Sequence, residues 1–158
     1  PRTLWNDLAS PDAAKAFRAV CASVESGNRA VTFLANVLHP VPPADERQLS
    51  RLIADLDSNR FATRQRASQE LAKSSDSAQP ILERALQSSL SPEVSQRLRQ
   101  VLATLDQAPE RLRSLRAIEI LEHIATPEAR RVLQTLSQGQ AHAQLTEEAR
   151  GSLARLGK

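Results

Sequence analysis

The sequence predicts an all-α chain of repeated antiparallel helical hairpins, and three observations carry that prediction. A hydroxyl residue, a proline and an acid follow one another at Ser10-Pro11-Asp12, Ser91-Pro92-Glu93 and Thr126-Pro127-Glu128, and Ala108-Pro109-Glu110 lacks only the hydroxyl. In such a phrase the hydroxyl caps orphan backbone N–H groups, proline fits the first helical position and the acid meets the positive helix end. The starts at Pro92, Pro109 and Pro127 fall 17 and 18 residues apart, so two helices make a unit of helical-hairpin length. Aliphatic side chains recur on stripes at about 100° per residue, and no alternating β-branched run competes with them.

The elements follow in order. After a short turn around Leu4-Trp5, a helix is expected over 11–25 with Phe17, Val20, Cys21 and Val24 on one face, ended by Gly27. The next, 29–38, carries Val31, Phe33, Leu34, Val37 and Leu38 and stops at His39-Pro40. Pro40-Val41-Pro42-Pro43 forms a stiff extended connector, because each proline fixes its own φ and keeps its predecessor out of the helical region. Beyond it Leu49, Leu52, Ile53 and Leu56 share a narrow arc, with Arg47 and Arg51 on the opposite side. Asp57-Ser58-Asn59 breaks that helix and leads into one over 60–73, and another spans 77–87 with Pro80 in its first turn and Ile81, Leu82, Ala85 and Leu86 packing. The helix 92–105 shows Val94, Leu98, Val101, Leu102 and Leu105 on one stripe. That over 109–125 spreads Ala117, Ile118, Ile120, Leu121 and Ile124 over nearly half its circumference, which requires neighbours on two sides. A helix from Pro127 buries Ala129, Val132, Leu133 and Leu136, and a left-handed Gly139 closes it. Thr146-Glu147-Glu148 opens the last helix, which buries Ala149, Leu153 and Leu156.

At 158 residues the chain is long enough for one domain with a continuous core. We expect a single unit of about nine helices: a first helical pair over 1–39, the connector at 40–45 and a main repeat stack over 46–158. With three Phe, one Trp and no Tyr or Met, aliphatic residues must supply nearly all the packing. The lack of methionine in a chain beginning at Pro1 leads us to expect a piece of a longer protein. Of 21 basic residues 18 are arginine, but the net charge is only +3 and acids are interleaved with the arginines, which disfavours a nucleic-acid binder. A single cysteine allows no internal disulfide and fits a reducing, cytoplasmic location. No apolar run approaches a membrane span.

In the helix over 60–73 Arg64 projects into a stripe of Phe61, Ala67, Leu71 and Ala72. A buried guanidinium must meet a carboxylate or carbonyl oxygens, and Asp57 in the preceding turn is the expected partner, making a structural ion pair. Leu56-Asp57 followed by Arg64, Ala67 and Leu71 resembles the HEAT-repeat signature, in which an aspartate and an arginine lace the turns between helices. Leu4-Trp5-Asn6-Asp7-Leu8-Ala9, Leu38-His39-Pro40-Val41-Pro42-Pro43, Leu52-Ile53-Ala54-Asp55-Leu56-Asp57 and Thr126-Pro127-Glu128-Ala129-Arg130 with Val132-Leu133 together resemble a HEAT-like module of bacterial WD-repeat β-propeller proteins. That resemblance covers nearly the whole chain and implies an α-solenoid scaffold with no catalytic residues. Ser74-Ser75 departs from it, where related sequences place a leucine and a glycine.

Reactive groups give no catalytic constellation, so the chain reads as a non-enzyme without cofactor or metal. Cys21 shares a stripe with Phe17 and Val24 and is expected to be a buried small hydrophobe. His39 and His123 sit at helix C-termini, where a cation is favoured, and His142 falls in a loop. Glu119, Glu122 and His123 place carboxylates near an imidazole, but on the side away from the apolar arc, where solvated pairs are the rule. Trp5, with Leu4 and Leu8, is expected to lie as a lid over the first helices. The function this implies is protein–protein interaction by a monomeric domain of a longer chain, with Arg47, Arg51, Arg97, Arg130 and Arg131 facing an acidic partner. The alternatives are a nucleic-acid-binding solenoid similar in layout to HEAT-like DNA glycosylases, and a structural spacer beside a propeller.

Overall fold

The computed structural model describes residues 2–74 and 76–157, and within them the chain forms ten α-helices and no strand. They are α1 (Arg2–Asp7), α2 (Ala13–Glu25), α3 (Asn28–Val37), α4 (Glu46–Asp55), α5 (Phe61–Ala72), α6 (Gln79–Leu86), α7 (Pro92–Asp106), α8 (Pro109–Ile124), α9 (Pro127–Leu136) and α10 (Gln144–Leu156). The helix beyond the expected nine is α1, where the sequence suggested only a turn. Ser75, half of the Ser74-Ser75 departure, lies outside the described residues.

Two of the hydroxyl-proline-acid phrases cap as their chemistry dictates. Ser91 Oγ accepts from Val94 N–H and Thr126 Oγ1 from Ala129 N–H, each at 3.3 Å, with proline in the first turn. The first copy works two residues later. Asp12 is the N-cap, accepting from Ala14 and Lys15 N–H at 2.9 and 3.2 Å, while Ser10 Oγ accepts from Asp12 N–H. Thr146 does not open the last helix. α10 begins two residues earlier, from an N-cap Ala143 with no side-chain cap, and Thr146 is fully buried within it.

The helices fall into two compact units, the first comprising Pro1–Val41 with Ala108–Lys158 and the second Pro42–Gln107. The boundary after Val41 falls inside the expected connector. That before Ala108 was not expected: it takes α8, α9 and α10 out of the anticipated 46–158 stack and groups them with α1, α2 and α3.

In the first unit α2 packs on α8 and α3 on α9, while α8, α9 and α10 pack on one another. The broad apolar arc of α8 thus meets neighbours on more than one side, as its sequence required. Ala19, Val20, Val31 and Leu34 join Ile118, Ile120, Leu121 and Leu133 in one buried cluster. Each fully buried aliphatic side chain there contributes about 1.5–3 kcal/mol.

The buried face of α2 is the expected one only in part. Ala16, Ala19, Val20 and Ser23 are inside, whereas Phe17 is 66% exposed and Cys21 is exposed. Small side chains let α2 approach its neighbours closely, and Ser23 satisfies its own hydroxyl by donating to Ala19 O at 2.7 Å. Phe17 and Cys21 are turned outward as a result, while Val20 stays buried and Val24 packs against the core as expected.

Residues 38–45 are neither helical nor extended-paired, and the segment is held where it leaves the first unit: Val41 is buried and its carbonyl accepts from Gln140 N–H at 2.8 Å. Gly139 is explained by this approach rather than by a left-handed backbone, since Gly27 is the described glycine with positive φ. A Cβ on Gly139 would sit 2.7 Å from both Val41 N and Thr146 Oγ1. A helix does end in a left-handed residue at Ala125, with φ 54° and ψ 12°, the C-cap of α8, and His142 in the loop after α9 also has positive φ.

In the second unit α5 packs on α4 and α7, and α6 on α7. Leu49, Leu56, Leu71, Leu82, Leu98 and Val101 lie in its own buried cluster. The expected apolar stripe of α5 shrinks to Ala67 and Leu71, because Phe61, the first residue of the helix, is 65% exposed.

Candidate functional site

Arg64 sits one turn into α5 with its side chain only 21% exposed, and the oxygens that meet it differ from those expected. Its Nη1 donates to Ser58 O at 2.7 Å and its Nε lies 3.5 Å from Glu93 Oε1 at the start of α7. Asp57 instead accepts from the hydroxyl of Ser91, the N-cap of α7, at 3.3 Å. The Asp57–Arg64 ion pair is therefore replaced by two separate ties to the start of α7, Asp57 of the α4–α5 turn to the N-cap Ser91 and Arg64 of α5 to Glu93. The reason is geometric: packing of α5 on α7 brings a second acid within reach of the guanidinium, while the Asp57 carboxylate faces the cap.

Arg97, one of the arginines expected to face a partner, is engaged in the same place. Its Nε and Nη2 donate to Glu93 Oε1 at 3.2 and 2.9 Å. The Arg97 hydrogen bond, and then the charge of Arg64, hold the Glu93 carboxyl below the usual carboxylate range. Arg47 and Arg51 differ. Both are exposed on α4, one turn apart, and among the described residues neither guanidinium meets a hydrogen-bond or ion-pair partner. With Leu49 buried and Leu52 and Ile53 packed on the core, α4 is one-sided as its sequence predicted.

In the first unit several arginines close helix ends. Arg130, expected to face a partner, donates through Nε to Ala125 O at 3.3 Å and through Nη1 to Leu156 O at 2.8 Å, closing α8 and α10 together. Arg116 Nη1 donates to the carbonyls of Leu8 and Ser10 behind α1, and Arg150 Nε to Ser137 O behind α9. A planar guanidinium with several fixed donors can reach two carbonyls at once, which a lysine ammonium does less well. Arg131 remains exposed beside Glu128 and Val132.

Glu122 is the most strongly perturbed acid described. Arg155 Nε and Nη2 donate to its two oxygens and Ser152 Oγ to one of them, all at 2.6 Å, joining α8 to α10. The Arg155 hydrogen bonds, opposed by partial burial and aided by Ser152, lower its carboxyl from 4.5 to about 2. A carboxylate held there is not poised to exchange a proton near neutral pH. Glu122 thus faces a neighbouring helix, not open solvent as expected, while His123 Nε2 lies 3.8 Å from exposed Glu119. Among the described residues no three His, Cys, Asp or Glu side chains are placed to share a metal, and no helix is long and apolar enough to cross a membrane.

A further feature is a partly open cavity of about 180 Å³ between α1, α2 and α3. Trp5 and Phe33 form part of its wall in a T-shaped pair, centroids 5.8 Å apart and planes at 71°. Arg113 from α8 lies over the indole, 5.1 Å from the ring centroid. Trp5 therefore does pack with Leu4 and Leu8 on the first helices, yet it leaves open space beneath it. Sequence periodicity places Phe33 and Leu34 on α3 but gives no sign of the gap between helices.

No family model, curated protein or solved structure matches this chain. The HEAT-like resemblance rests on the quoted residues alone.

Proposed function

We propose that this chain is a non-catalytic protein-binding module of HEAT-like helical hairpins, in which exposed helix positions contact an acidic protein segment. The observation that carries this reading is the pair Arg47 and Arg51, two exposed guanidiniums one turn apart on α4 that no carboxylate among the described residues meets. Like charges at this spacing destabilise a helix by about 0.2–0.5 kcal/mol, and an acidic partner removes that penalty. Elsewhere arginines such as Arg64, Arg97 and Arg130 are spent on helix ends and acids of the fold, which separates the two roles.

The test is fluorescence polarisation with a labelled Asp/Glu-rich peptide. The Arg47→Glu, Arg51→Glu double variant is expected to bind about tenfold more weakly, a loss of about 1.4 kcal/mol. Unchanged affinity removes the proposal. Tighter binding of a single- or double-stranded oligonucleotide than of the peptide, with a steep salt dependence, favours the nucleic-acid alternative instead.

A further inference from the structure

We propose that the cavity walled by Trp5 and Phe33 binds a small carboxylic acid, whose ring or branched apolar body fills the cavity and whose carboxylate pairs with Arg29 at the mouth. The proposal is independent of the protein-binding reading, which concerns α4. Its first support is size. At about 180 Å³ the space exceeds the roughly 150 Å³ apolar cavity that admits a benzene ring.

The second support is a wall that is already built. Leu8 and Leu34, which line the cavity, are 1% and 3% exposed and belong to the core, so they do not collapse inward. Trp5 is fixed by Phe33 and by the Arg113 guanidinium. A preformed apolar site avoids the ordering cost that a flexible one bears on binding.

The third support is charge. Arg29 lines the cavity, and among the described residues its side chain has neither a hydrogen-bond nor an ion-pair partner, in a chain where many arginines are engaged. It stands in the first turn of α3, whose N-cap Gly27 supplies no side-chain oxygen and whose first turn contains no acid. No side chain or acid therefore neutralises the positive end of that helix, whose Arg29, Ala30 and Val31 N–H groups are already bonded to carbonyls of the turn, and the guanidinium is what favours an anion. Ser26, and Ser23 deeper in, donate their hydroxyl hydrogens to Ala22 and Ala19 carbonyls, so among the lining side chains the Arg29 guanidinium, with the Trp5 indole N–H, is left to recognise the acid. An apolar body with a carboxylate at one end satisfies all three conditions. A neutral hydrocarbon leaves the cation unused, and a polar anion leaves the aromatic wall unused.

Trp5 is the sole tryptophan, so its fluorescence reports occupancy directly. Titration of the full chain with hydrocinnamate at fixed ionic strength is expected to give a saturable change, with affinity about fivefold or more above that for the neutral phenylpropanol. Arg29→Gln is expected to bring the acid to the affinity of the alcohol without altering the latter. Ala30→Leu, which adds bulk to a cavity-lining position on α3 while keeping a good helix former, is expected to abolish binding of both. Circular dichroism confirms that each variant retains the helical fold. Equal affinity for acid and alcohol, absence of a saturable change, or full binding by Ala30→Leu would each overturn the proposal.

Discussion

At the scale of single residues, the Glu122–Arg155–Ser152 clasp shows how the charges of this chain are used. Glu122 is three-quarters buried by its side chain, but solvent reaches Arg155, so the pair stabilises less than an enclosed one. Glu122→Gln should cost about 1 kcal/mol in urea denaturation at neutral pH, after discounting for that screening. Because the folded-state value is depressed, the contribution is complete above pH 4.5 and is lost as the pH falls through about 2. The stability difference between wild type and variant should therefore narrow across that window, and a constant difference would show that the ion pair is not its source. The sequence disclosed that Arg64 needed oxygens, since a cation on an apolar stripe has no other resolution. It did not disclose which oxygens, because Glu93 is brought there by the packing of α5 on α7. Arg130 misled for a related reason: it reads as a surface charge until the end of α10, 26 residues on, comes within 2.8 Å.

At the scale of elements, what was legible was local. Caps at Ser91 and Thr126, prolines in first turns and the one-sidedness of α4 depend on residues a few positions apart, and they stand in the structure as read. What depended on a neighbour was misread. The inward face of α2 is set by the close approach of its partners, so Ala16 and Ala19 displaced Phe17 and Cys21. Gly139 is required by a segment nearly a hundred residues earlier in the chain. The end of α8 offers a test of this local reading. Ala125 adopts a left-handed conformation that costs an L-residue about 1–2 kcal/mol, whereas glycine adopts it freely. Ala125→Gly should raise stability by about 0.5–1 kcal/mol, measured by thermal or urea unfolding, after the larger unfolded-state entropy of glycine is subtracted. A loss of stability would place the value of Ala125 in its methyl contacts instead.

At the scale of the whole molecule, the helical class and most helix positions were readable, whereas the division into units was not. Nothing local in Gln107-Ala108-Pro109 distinguishes a boundary between units from an ordinary helix start, and the broad arc of α8 calls for neighbours on two sides without saying which helices they are. The second unit has a buried cluster drawn entirely from its own helices. A fragment spanning 42–107 should therefore be helical and unfold cooperatively in urea. A featureless, gradual loss of helicity would show that its core needs the rest of the chain. The first unit has no such independence, since α2 and α3 bury their faces against helices encoded after the whole of Pro42–Gln107. On a ribosome, adding about 5–20 residues per second, α2 and α3 must wait on the order of several seconds for α8 and α9 to emerge. Throughout that delay Val20, Val31 and Leu34 have no lasting cover. The nascent first unit is thus a natural client for a chaperone, although the finished one hides those residues completely enough that only synthesis exposes the debt.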